Sequence, residues 1–106
     1  MAPLRVADLE IDALRRRVGQ GTREIQLSPD EHILLYTLAA RAGALVSYRE
    51  IADAMGRRTD SELRNNTFAR HLSSLRLKLR DDPRAPRYIE TVNGLGYRFV
   101  LGRRAI

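Results

Sequence analysis

At 106 residues, with 43% hydrophobic and 30% charged side chains, the chain is expected to form one soluble domain, residues 1–106, around a single modest core. It has no Cys, which excludes disulfide frameworks and thiolate metal sites; no apolar run approaches the roughly 20 residues of a membrane span, and no leader pattern precedes Leu4, so a cytoplasmic location is expected. The net charge of +6 calls for an anionic partner, and its sign alone does not distinguish DNA, RNA, acidic protein or a membrane surface.

Residues 4–27 contain short alternating runs. Val6, Leu9 and Ile11 read as a half-buried strand, 14–18 as a second, Gly19-Gln20-Gly21 as a turn, and 24–27 as a further strand of an antiparallel meander. Arg15, Arg16 and Arg17 read as a charged strand edge that discourages aggregation.

Ser28-Pro29-Asp30-Glu31 marks a helix start: Ser at the N-cap, Pro at the first helical position, and Glu placed to close a capping box. Ile33, Leu34, Leu35, Leu38, Ala39 and Ala42 provide an apolar face, and Gly43 ends the helix. His32 has no second donor one turn away and is expected to pack or lie on the surface rather than bind a metal. After a short extended link at 44–46, Ser47-Tyr48-Arg49-Glu50 repeats the capping pattern and begins a second helix that runs to about Met55. A polar loop follows at 57–64, in which Thr59-Asp60-Ser61-Glu62 offers one more capping box.

The stretch NNTFARHLSSLRLKLR at 65–80 carries Phe68, Leu72, Leu75 and Leu79 on one narrow stripe, at about 100° per residue. The opposite pole holds Asn66, Arg70, Ser73 and Leu77, flanked by Ala69, Ser74, Arg76 and Arg80, with no carboxylate until Asp81. Residues 57–106 carry net charge +7 while residues 1–56 carry −1, so the positive field belongs to this half. The pole reads either as a nucleic-acid surface or as a solvated helix face. Pro83 and Pro86 then forbid continuation, 88–92 and 97–101 read as paired strands, and Asn93-Gly94-Leu95-Gly96 as their turn. No motif for catalysis, a cofactor or a metal appears, and the few aromatics all have core or hairpin explanations, against an RNA reader.

The run from Leu27, with LSPDEHILLYTLAARAGALVSYREIADAMG and then NTFARHLSSLRLKLRDDPRAPRYIETVNGLGYRF, resembles the winged helix-turn-helix effector domain of OmpR/PhoB-type response regulators. The resemblance implies an α+β fold: an N-terminal antiparallel β-meander (about 4–27), a three-helix core (about 28–80) and a C-terminal β-hairpin wing (about 87–101). It implies double-stranded DNA as partner and transcription regulation as function. Asn66, Arg70, Ser73, Ser74 and Arg76 would touch DNA from the recognition helix, and Thr91, Asn93 and Tyr97 from the wing. The chain departs from the family's usual residues at Asn66 (often Arg), Arg70 (often Val), Asn93 (commonly Arg) and Met55 (frequently Trp). The resemblance further implies pairs of copies on direct-repeat half-sites, RNA polymerase as a partner, and either an excised effector domain or an orphan regulator. The competing reading is a winged-helix protein-interaction module whose third helix or 57–64 loop docks an acidic protein.

Overall fold

The computed structural model describes residues 3–56 and 68–101; the expected loop at 57–64, its capping box and Asn66 lie outside the described residues. Strands β1 (Leu4–Val6), β2 (Leu9–Asp12), β3 (Arg17–Gln20) and β4 (Arg23–Ile25) form an antiparallel sheet in the order β1-β2-β3-β4. The register Leu4↔Ile11, Ile11↔Val18, Val18↔Ile25 aligns apolar residues in a row across the sheet, and Ile11, Val18 and Ile25 are buried. The outward face carries Arg5–Glu10 and Arg17–Glu24 ion pairs. Several boundaries differ from expectation: of the run 14–18 read as a strand, Leu14, Arg15 and Arg16 (φ 53) lie in a turn and β3 begins only at Arg17, so Arg15 and Arg16 are turn rather than strand-edge residues. The run read as one strand from Val6 to Ile11 is split by a turn at Ala7, which adopts φ 52, and Gly19 and Gln20 belong to β3, the turn falling at Gly21 (φ 60).

Helix α1 (Pro29–Ala40) starts on the full capping box: Glu31 N donates to Ser28 Oγ (3.2 Å) and Ser28 N donates to Glu31 Oε1 (2.8 Å). Leu34, Leu35 and Leu38 face the core, whereas Ile33, expected there, is 36% exposed. Helix α2 (Tyr48–Ala54) is capped by Ser47, which accepts from Glu50 N at 3.1 Å; the Glu50 carboxylate returns to the Ser47 hydroxyl and pairs with Arg41, so only half of the expected box forms.

Helix α3 (Phe68–Leu79) buries Phe68, Leu72, Leu75 and Leu79, each 2% exposed or less, against α1 and the sheets. It ends four residues before Pro83, the first expected breaker: Arg80 takes φ 58, Asp81 N donates to Arg76 O (2.8 Å) and Arg80 N to Leu77 O (3.1 Å), the bond pair of a Schellman stop. Its last carbonyls are bound by the N-terminal sheet, with Arg23 Nη2 donating to Lys78 O (2.8 Å) and Gln20 Nε2 to Leu79 O (2.7 Å). The meander thus serves as the cap of the third helix.

The C-terminal hairpin is β6 (Ile89–Val92) and β7 (Gly96–Phe99). The link read as merely extended forms strand β5 (Leu45–Ser47) and pairs antiparallel with β7, so the wing is a three-stranded sheet in the order β5-β7-β6. This ties the hairpin to the start of α2, because Ser47 is at once the last residue of β5 and the α2 N-cap.

Two buried ionisable groups on α1 set an expected response to acid. Burial pushes the His32 imidazole below its usual range, helped by the Arg16 charge and opposed by Asp12, and neither ring nitrogen has a hydrogen-bond partner among the described residues. The unfolded chain therefore binds this proton first, and stability is expected to fall as pH drops below about 6.5. For Glu31, burial pushes upward, but hydrogen bonds from Lys78, Ser74 and Ser28 N outweigh it and the carboxyl lies below the ordinary glutamate range. Its contribution is present above about pH 4.3 and is lost as pH falls further, through the folded-state value. Urea midpoints measured from pH 7.5 to 3 are expected to show both losses. His32→Leu should remove the upper one and raise stability by about 1 kcal/mol, since it deletes two unpaired buried nitrogens; Glu31→Gln should flatten only the lower one.

Candidate nucleic-acid interface

The amphipathic period of α3 presents its second face to solvent. Ala69, Arg70, Ser73, Leu77 and Arg80 are exposed there, and this face carries no carboxylate. The buried stripe holds the helix rigidly, so the Arg70 fork projects from a fixed backbone. Its guanidinium has no ion pair or hydrogen bond among the described residues. An unpaired Arg fork beside a small hydroxyl can offer two parallel donors to guanine O6 and N7, or grip a phosphate.

Three expected contacts sit differently. Arg76 is 9% exposed: its Nη2 donates to Ile89 O (2.8 Å) and Thr91 Oγ1 (3.1 Å), so the guanidinium is spent on joining α3 to β6. The helical wheel explains the error, since Arg76 lies at the edge of the polar pole, where a long side chain reaches inward as easily as outward. Burial works against its charge, and Asp81 and Tyr97 nearby partly compensate. Tyr97 is 3% exposed and stands edge-to-face against Tyr48, ring centroids 5.6 Å apart, so its ring is core of the wing sheet rather than wing surface. Ser74 is half-buried, and its hydroxyl helps to hold the Glu31 carboxylate of α1 in the charged form.

Arg70, Ser73, Thr91 and Asn93 are exposed, Thr91 with its hydroxyl accepting from Arg76. Asn93 stands at the hairpin tip next to Gly94, whose φ of 76 the turn requires. On the wing Arg98 is bound to Glu90, and on the approach to it Arg87 lies over the Tyr88 ring and pairs with Asp8. His71 is half-buried with Asp30 at 3.5 Å.

Sequence reasoning missed Asp81. It is 8% exposed, and its carboxylate accepts from the backbone N–H groups of Arg87 (2.7 Å), Tyr88 (3.4 Å) and Ile89 (3.0 Å), which fixes the chain between α3 and the wing. The one available signal was an acid placed directly after an otherwise acid-free helix.

A helix-turn-helix order, an outward basic face on the third helix and a hairpin locked beside it define a winged helix-turn-helix DNA-binding domain. The chain belongs to the family described as transcriptional regulatory protein, C terminal, whose model matches residues 21–99, the DNA-binding domain of OmpR/PhoB-type transcription regulators. It is 31% identical over 99 residues to the KDP operon transcriptional regulatory protein KdpE of Escherichia coli, covering 92% of this chain and 43% of KdpE. To protein PetR of Rhodobacter capsulatus it is 33% identical over 98 residues, covering 89% and 41%. The chain thus spans less than half the length of these relatives. Among solved structures, the Klebsiella pneumoniae RstA DNA-binding domain in complex with RstA box is similar with a TM-score of 0.83, 29% identity and coverage of 94% and 98%. The DNA-binding domain of CpxR from E. coli gives 0.83, 27%, 97% and 100%. Among the described residues no helix is long and apolar enough to cross a membrane.

Proposed function

We propose that this chain reads a specific duplex sequence by placing α3 in the major groove, with Arg70 and Ser73 facing base edges, and that Asn66, which precedes α3 in the sequence, adds a further DNA contact. Asn93 at the wing tip, with Thr91 behind it, reaches the backbone or the adjacent minor groove. Ser74 and Arg76 support this surface from behind, and Tyr97 does so from within the wing. The observation that carries the reading is the acid-free outward face of α3, with an Arg70 fork that has no partner among the described residues, on a helix locked by four buried side chains. The similar RstA domain was crystallised on its RstA box, which supports the same kind of partner here. The chain works as one binding domain, not a catalyst, in the cytoplasm. Two copies occupy direct-repeat half-sites and act through RNA polymerase, as the effector part of a response regulator or of an orphan relative.

The test is selection of bound duplexes from a randomised pool at moderate and high salt, followed by titration of variants on the selected site. One enriched motif is expected, with affinity falling steeply as salt rises because arginine–phosphate contacts release counterions. Arg70→Ala is expected to cost about 1–3 kcal/mol, roughly a fivefold to 150-fold loss, at one base position. Unchanged affinity and selectivity in both Arg70→Ala and Ser73→Ala would overturn DNA reading and favour a protein-docking role for the same face.

A further inference from the structure

We propose that Leu77 reads the 5-methyl group of a thymine, making it a specificity residue of the same α3 face; the inference rests on the DNA-reading role of Arg70 argued above. Among the large apolar side chains described as exposed, Leu77 is the most so, at 79%. A single exposed leucine is ordinary on a protein surface, and exposure alone assigns nothing. What assigns it is direction. Seven residues at 100° each bring Leu77 back to within about 20° of Arg70, one helical face on, and the rise of 1.5 Å per residue sets it about 10 Å further along the axis. Ser73 lies one turn before it and Arg80 just after the helix end, both exposed. A helix that delivers Arg70 to the groove floor therefore points Leu77 at the same floor, about three base steps of 3.4 Å away.

The chemistry of that floor selects the contact. Every other group on the major-groove edges of the bases is a hydrogen-bond donor or acceptor, or a bare ring C–H, and the thymine methyl is the one apolar protrusion. An isobutyl group cannot replace the water it strips from a phosphate or a carbonyl oxygen, so opposite those groups it lowers affinity. Opposite a methyl, both apolar surfaces leave water together. Leu77 thus favours thymine and disfavours bases that present only polar edges.

The experiment uses the full chain on its selected duplex, with each thymine of the half-site replaced in turn by deoxyuridine, which differs only in lacking the methyl. Wild type is expected to lose about threefold to tenfold in affinity at one thymine, about three base pairs from the guanine that responds to Arg70→Ala. Leu77→Ala is expected to show no deoxyuridine penalty there, and Leu77→Lys to bind well while losing the thymine preference. Circular dichroism checks that both variants fold, as the exposure of the site leads one to expect. The same penalty in wild type and Leu77→Ala, or none at any thymine, would overturn the inference and leave the DNA reading intact. A wild-type chain that selects no motif overturns both.

Discussion

Arg76→Ala is expected to destabilise the domain by about 2–4 kcal/mol and to loosen the wing, while leaving the salt dependence of DNA binding almost unchanged. The guanidinium is buried between α3 and β6, where it donates to a strand carbonyl and to the Thr91 hydroxyl and lies near the Asp81 carboxylate. Truncation leaves those acceptors without their donor and removes a cation from beside a buried acid. If Arg76 gripped a phosphate instead, the same change would reduce the slope of log affinity against log salt by about 0.9 and hardly touch stability. Urea unfolding and a salt titration on one variant therefore decide between anchor and DNA contact. A double-mutant cycle with Thr91→Val should show coupling, since the Thr91 hydroxyl loses its donor once Arg76 is gone. Arg76→Lys is expected to rescue poorly, because both bonds are made by Nη2 and a lysine side chain ends one atom short of that position.

Gly96→Ala is expected to cost about 3 kcal/mol or more and to weaken DNA binding through the wing. A Cβ at Gly96 would stand 2.0 Å from Val46 O and 2.9 Å from Ser47 Cα. Both atoms are backbone, so no side-chain rotation relieves the overlap, and β5 must leave β7. The pairs Leu45↔Arg98, Val46↔Tyr97 and Ser47↔Gly96 then open, and with them the Ser47 cap of α2 is displaced. Gly94→Ala, two positions earlier, meets no atom within 4 Å and carries only the strain of its positive φ, about 1 kcal/mol. Thermal unfolding of the two variants side by side checks the distinction; equal losses would mean that both glycines serve only the turn.

Local chemistry made much of the fold legible. The Ser28 to Glu31 box starts α1 where it should, because its four partners lie within one turn and need nothing from the rest of the chain. The four-residue stripe of α3 is buried as its period requires, and that burial fixes by elimination which pole carries Arg70, Ser73 and Leu77. Less legible were features that depend on a distant partner. The strand at Leu45–Ser47 has no pattern of its own in three residues and exists because β7 supplies its hydrogen bonds. Gly96 was read as a turn residue, whereas the reason for it is the backbone of Val46, fifty positions earlier in the chain.

The candidate site divides along the same line. Arg70 and Asn93 are where periodicity and turn chemistry put them, on surfaces that the core and the hairpin turn define. Arg76 and Tyr97 are not, because a residue at the border of two faces goes to whichever partner offers the better contact, Ile89 O and Thr91 for Arg76 and the Tyr48 ring for Tyr97, and Ser74 is half-buried rather than on the open face. From the sequence alone, then, came the order of elements, the helix starts, the buried stripe and the charge asymmetry, all of which rest on contacts within a few residues. The tertiary structure alone decided which polar groups stay exposed to solvent and which hold the wing in place, because that choice is a competition among partners brought together only by folding.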